Sequence, residues 1–191
     1  MIIQRLFTLV AMIACLGLAG CGTSEPTAGP GRSKLSLEDA IATTAAKLKG
    51  EAKTLYEAAR TAEPFPKQDE LILGKFHGEF KEEGFESYYE YERQPGGVVK
   101  HNAVDMYSEE KEYLQTEEAY HWKSEGRVIY EQDKENPELI YFLLLEEVTD
   151  EKLKYQMLDS EFGLEEAMES EDLRGPATFP EVPNDWTLVE E

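Results

Sequence analysis

The chain has 191 residues, with 40 Asp or Glu against 19 Lys or Arg, for a formal charge of −21. A field of that sign repels nucleic-acid phosphates and anionic headgroups, which excludes nucleic acid as a partner and leaves cationic ones such as a basic protein. Plain solubility is the simpler reading of the same charge, and the length suits one ordinary domain with tails.

Residues 1–20 read as a signal peptide. Arg5 and the amino terminus supply a positive start, and residues 6–16 (LFTLVAMIACL) form an apolar run. That run is too short to span a bilayer, which takes about 20 apolar residues. The segment closes on Leu18-Ala19-Gly20-Cys21. Small residues there let the chain lie extended in a peptidase groove, with Leu18 in an apolar slot. In this register the leader resembles the signal peptide and lipobox of bacterial lipoproteins. The resemblance implies a lipid on Cys21, attachment to the cell envelope outside the cytoplasm, and a membrane as partner. Gly22 follows Cys21 in place of the aspartate that retains enteric lipoproteins in the inner membrane, so by that rule the outer membrane is favoured. Cys15 leaves with the leader and Cys21 becomes a thioether. The mature chain then has no thiol for a disulfide, a metal or nucleophilic attack.

Residues 21–34 carry the lipidated cysteine and a tether (GTSEPTAGPGRSK) without apolar periodicity. As a flexible coil it spans roughly 20 Å r.m.s.. Residues 35–66 hold one long helix over 35–62 and a linker. Ser36 is placed to cap the helix, with Asp39 three residues on. Leu37, Ile41, Thr44, Leu48, Ala52, Leu55 and Ala59 form one stripe at helical spacing, and Gly50 marks a kink. Glu63-Pro64-Phe65-Pro66 ends the helix.

From residue 67 to 158 the period drops to two. Strands are predicted over 71–81, 85–93, 98–107, 114–124, 127–132, 138–146 and 152–158, with turns such as Glu83-Gly84, Gln94-Pro95-Gly96-Gly97 and Glu125-Gly126 between them. Phe76 and Phe80 share a face, as do Phe85, Tyr89 and Tyr91, Tyr120 and Trp122, and Leu153, Tyr155 and Met157. Six or seven antiparallel strands on short turns make a meander that closes or nearly closes into a small barrel. Residues 140–145 (IYFLLL) are apolar on both faces, which predicts a central strand covered by the helix stripe.

Residues 159–191 read as an acidic C-terminal tail with Arg174 as its one base. A short helix is predicted over 164–170. Gly175, Pro176, Pro180 and Pro183 then forbid regular structure, while Phe179, Val182, Trp186, Leu188 and Val189 either pack back on the barrel wall, the preferred reading, or belong to an exposed, disordered end.

Three pieces of the strand region resemble bacterial lipocalin-like domains, small up-and-down barrels frequent among lipoproteins. Leu73-Gly74-Lys75-Phe76 stands where that group often has Gly-x-Trp, with Phe in place of Trp. Residues 118–126 (EAYHWKSEG) match a later strand and turn, and residues 140–153 match a hairpin of the pattern I-x-x-L-t-x-d-x-L. The resemblance implies a fold and not a ligand: with the helix over 35–62 ahead of it, a mainly β chain whose antiparallel meander forms a small lipocalin-like barrel. An α+β roll of cystatin or NTF2-like type is the alternative fold.

No catalytic motif stands out. There is no Gly-x-Ser-x-Gly, P-loop, dinucleotide fingerprint or His-Glu-x-x-His, so an enzyme and a cofactor are not expected. His77, His101 and His121 fall on separate strands, and His77 and His121 face away from the aromatic sets, which predicts surface histidines and no metal site. Pairs such as Glu117-Glu118 point to opposite faces and cannot work as a catalytic dyad alone. The segment Asp159-Ser160-Glu161-Phe162-Gly163 hints at calcium but lacks the full ligand spacing. The strand tyrosines either fill the barrel or line a pocket, and filling is the preferred reading. The chain therefore reads as an envelope-anchored, non-enzymatic binding or structural domain, with carriage of a small apolar ligand as the alternative.

Overall fold

The computed structural model describes residues 35–159 and 167–189. Two helices, α1 (Leu37–Ala45) and α2 (Gly50–Thr61), replace the single predicted one, followed by a single turn, α3 (Gln68–Leu71). Ser36 caps α1 as expected: its Oγ accepts from Asp39 N at 3.2 Å and donates to Asp39 Oδ2 at 2.7 Å. The break has a local cause. Gly50, the first residue of α2, sits at φ +53°, a left-handed conformation that a continuous α-helix does not accommodate.

All seven predicted strands form: β1 (Gly74–Glu82), β2 (Phe85–Gln94), β3 (Val98–Tyr107), β4 (Glu112–Glu125), β5 (Val128–Asp133), β6 (Ile140–Val148) and β7 (Lys152–Asp159). An eighth, β8 (Met168–Arg174), comes from the predicted acidic tail. This corrects the short helix expected over 164–170: residues 168–170 are strand, and 164–166 lie outside the described residues. Each strand pairs antiparallel with its sequence neighbour, and β8 returns to β1. The result is a closed eight-stranded up-and-down barrel of the lipocalin-like kind, and not the α+β roll. A two-residue strand, β9 (Thr187–Leu188), pairs parallel with the start of β4. That pairing also corrects the expectation that the prolines forbid regular structure to the end of the tail. Phe179, Val182 and Trp186 are half-buried as expected, whereas Leu188 and Val189 are exposed.

Two apolar cores result, one on each side of the sheet. Inside the barrel, Phe76, Tyr91, Val99, Ile129, Leu143, Leu145, Leu153 and Tyr155 pack together. Ile72 with Phe65 and Leu71 closes the base beneath them. Outside, Ala40, Ile41, Leu48, Ala52 and Tyr56 of the helical segment cover Val128, Tyr130, Ile140, Phe142 and Leu144. The doubly apolar β6 is explained by this arrangement, and the helix stripe is its cover. Tyr56 anchors the contact: its ring stacks on Phe142 at 5.2 Å, and its hydroxyl lies 3.3 Å from that of Tyr130.

The β4–β5 turn holds the helices in place. Arg127 N donates to Ala59 O at 2.8 Å, and Gln68 Nε2 donates to Gly126 O at 2.9 Å. Gly126 has φ +59°, and a Cβ there would collide with the Arg60 carbonyl and sit 2.8 Å from Ala59 O. Gly50 has a similar φ with nothing within 4 Å. Gly126→Ala should therefore cost about 3 kcal/mol, strain plus clash, while Gly50→Ala pays only the strain of about 1 kcal/mol. Chemical denaturation of the two variants checks the difference, and equal losses would remove the docking role of this turn.

Candidate functional site

The antiparallel register assigns one residue in two of each strand to the barrel interior. Phe76 pairs with Tyr91, Tyr91 with His101, His101 with Glu118, and Trp122 with Glu131. On the far side Tyr155 pairs with Ser170, and Leu153 with Asp172. The interior is thus apolar around Phe76, Leu143 and Leu153, with a polar wall running from Asp172 through β2 and β3 to β4.

Asp172 is the centre of that wall and is fully buried. Its carboxylate accepts from three phenols: Tyr89 at 2.8 Å, Tyr91 at 2.6 Å and Tyr155 at 2.8 Å. Gly78 makes room for this, because a Cβ there would collide with the Tyr89 phenol and lie 3.0 Å from Asp172 Oδ1. Burial pushes the Asp172 carboxyl above its ordinary range, while the three phenols and Arg93 pull it back. Burial likewise raises the Tyr89, Tyr91 and Tyr155 phenols, helped by the Asp172 charge.

Beside this cluster Arg93 is buried under the Tyr91 ring, 4.5 Å from its centre, and its Nε donates to Glu131 at 2.7 Å. Burial alone would lower the guanidinium pKa; Glu131 and the neighbouring phenols more than reverse this, and it stays charged. At the base Arg174 lies over Phe76 at 4.6 Å and donates to the Leu71 and Leu73 carbonyls, tying the segment between α3 and β1 to β8.

Toward the mouth the wall is half-open. His101 stacks on Tyr89 at 5.9 Å and meets the Tyr120 ring edge-on at 6.1 Å. Its buried Nδ1 has no hydrogen-bond partner among the described residues and lies 3.9 Å from Glu118 Oε2. Burial lowers the His101 pKa, with Glu118 the largest opposing influence, so the ring is neutral at pH 7. Asp105 is shifted upward by burial, against the Ser87 hydroxyl and His101. Tyr120 donates to Glu118.

A second feature breaks the barrel wall from outside. A cleft of about 390 Å³ opens along β4 between β9 and β5, lined in part by Gln115, Glu117, Glu118, Asp133, Glu135 and Leu188.

Of the residues singled out in the sequence, Cys21 lies outside the described residues, as do residues 160–163 of the calcium-like segment. His121 is exposed, and His77 is half-buried on the outer side with Nδ1 3.2 Å from the Gly175 carbonyl. His101 is the correction: it points inward, among aromatic rings. Its strand carries valines of both parities, Val98, Val99 and Val104, so alternation gave no inward face to assign it to. The three histidines do not converge, and among the described residues no group of three His, Cys, Asp or Glu is placed to hold a metal. Glu117 and Glu118 do face opposite ways, Glu118 toward the interior. The tyrosines Tyr89, Tyr91, Tyr120 and Tyr155 fill the barrel, whereas Tyr130 serves the outer core.

Comparison with family models, with curated proteins and with solved structures finds no match.

The Asp172 cluster makes two tests available. Asp172→Asn leaves at most one acceptor for three buried phenols and should cost about 2 kcal/mol, against about 1 kcal/mol for Tyr155→Phe, in denaturant titrations. In alkali, phenols raised in the folded state contribute stability that is complete below the ordinary phenol value of about 10 and is lost as pH climbs above it. Phenolate absorbance should therefore stay well short of all ten tyrosines until the barrel unfolds cooperatively. A smooth titration of every tyrosine in the folded protein would contradict the burial of this wall.

Proposed function

We propose that this protein is a lipid-anchored, extracytoplasmic binding module: a β-barrel held at the envelope surface by Cys21 and presenting its walls to a partner. The observation that carries the anchor is the register of residues 6–21, in which an apolar core, small residues and a cysteine follow in order. The tether of residues 22–34 then precedes a helix whose cap, Ser36, begins the folded body. Among the described residues no helix is long and apolar enough to cross a membrane. Two or more acyl chains hold a protein firmly, whereas one is marginal.

The binding reading, in preference to catalysis, is supported by how the interior groups are used. Asp172 accepts from three phenols and Arg93 donates through Nε to Glu131, so these buried charges are met by groups of the barrel itself. The interior carboxylates Asp172 and Glu131 are thus engaged by neighbouring side chains of the barrel itself.

Carriage of a small apolar ligand is the second reading, favoured by the barrel architecture. The filled core around Phe76, Leu143 and Leu153 counts against a dry chamber at the base, because barrels of this strand number are just filled by side chains.

Detergent phase partitioning from the native host tests the anchor. The wild-type protein should enter the detergent phase and Cys21→Ser the aqueous phase; identical partitioning would overturn the anchor. Native mass spectrometry of the same material tests the carrier, for which a co-purifying lipid is required.

A further inference from the structure

The stretch of β4 that has no strand partner among the described residues deepens the binding reading, on which this inference rests in part, by giving the partner a site and a chemistry. On one side β4 is fully paired with β3, from Glu112 to His121. On the other, among the described residues, it pairs with β9 at Glu112 and Tyr113 and with β5 from Tyr120 onward. The hydrogen bonds on that second edge fix which groups face it. Thr187 N donates to Lys111 O at 2.9 Å, Val189 N to Tyr113 O at 2.9 Å, and Lys134 N to Ala119 O at 3.1 Å. Carbonyls of odd-numbered residues therefore point to this edge, and strand alternation puts the N–H and C=O of Gln115 and Glu117 there too. Among the described residues no strand pairs with those four groups.

Free extended backbone is a template for another chain. From Tyr113 to Ala119 the edge runs about 20 Å at the usual strand rise, enough for a segment of a few residues. The cleft beside it holds about 390 Å³. Its lining supplies the second half of a recognition code. Glu117, Glu118, Asp133 and Glu135 line it with no Lys or Arg, and Glu117 and Glu135 have no ion-pair partner among the described residues. Leu188 and Val189, 45% and 38% exposed, form an apolar lip at the β9 end. Acid walls and a chain charge of −21 disfavour a second copy of this protein as the occupant.

We propose that the β4 edge between β9 and β5 takes up an extended, basic segment of a partner polypeptide as an added strand. Main-chain bonds go to Gln115 and Glu117, cationic side chains to Glu117, Asp133 and Glu135, and an apolar side chain against Leu188 and Val189.

The test uses the intact chain and three synthetic peptides: acetyl-Lys-Val-Arg-Val-Lys-Val-amide, the same peptide N-methylated at alternate residues, and its all-glutamate counterpart. Affinity is read by calorimetry and the site by amide exchange and shifts of Gln115 and Glu117. The basic peptide should bind, protect those two amides and lose about tenfold or more on N-methylation, since each lost main-chain bond weakens a complex. The glutamate peptide should not bind. Glu117→Lys with Glu135→Lys should cost a similar factor while the circular dichroism stays native. Equal binding of the N-methylated peptide would mean charge attraction without strand addition, and overturns the proposal. So would absence of binding, protection elsewhere, or self-association through the same amides without peptide. Failure here leaves the anchor standing if Cys21→Ser still moves the protein out of the detergent phase. A partner or ligand retained in the native mass spectrum would then keep the binding reading without this site.

Discussion

The barrel closes where its backbone pairing is thinnest, and a buried carboxylate makes up the difference. Between β1 and β8 only Phe76 with Arg174 and His77 with Leu173 are in register, against nine pairs between β1 and β2. Asp172 reaches from β8 across β1 to the Tyr89 and Tyr91 phenols of β2, and sideways to Tyr155 of β7. Burying a carboxylate costs several kcal/mol, and hydrogen bonds to a charged group return about 1.5–3 kcal/mol each, so the net contribution to stability is modest. What the cluster supplies is direction. A slip of β8 by one residue would turn Leu173, now 48% exposed, inward and Asp172 outward. Apolar burial alone would favour that slip; the three phenols and the Arg174 grip on the Leu71 and Leu73 carbonyls oppose it.

The rest of the architecture follows from closing the sheet at that seam. A closed barrel leaves β6 with an apolar outer face, and the two-part helical segment covers it through Ile41, Leu48, Ala52 and Tyr56. The polar wall then divides the interior: apolar packing toward the base, and His101, Asp105 and Glu118 toward the mouth. Arg93, with its Nη1 buried and unpartnered among the described residues, keeps a positive charge beside the acidic wall. Removing Glu131 from it would strand a buried charge, a cost of about 3–5 kcal/mol for such pairs.

The parts legible in the sequence were those with strong alternation or strong turn chemistry. The seven hairpin strands, the Ser36 cap, the cover over residues 140–145 and the Gly50 interruption all rest on local signals that the fold does not override. The eighth strand was illegible for a physical reason. Its sequence, MESEDLR, puts an Asp inside and a Leu outside, so the pattern that marks a strand is inverted where the clasp forms. His101 was missed because Val98, Val99 and Val104 make β3 apolar on both faces, which hides its inward side. The open β4 edge could not be read at all, since it depends on where β9 and β5 stop and not on any residue of β4. The Cys21 reading rests on the leader alone and is independent of all of this.

Hydrogen–deuterium exchange of the barrel with Tyr89→Phe and Tyr91→Phe combined tests the clasp most directly, because it removes two phenols while leaving the rings to pack. Faster exchange is expected, confined to the β1–β8 seam and including Gly175 N–H, which donates to Lys75 O at 2.9 Å, with β3 and β4 unchanged. Unaltered exchange at the seam, or a uniform rise across all strands, would contradict the clasp.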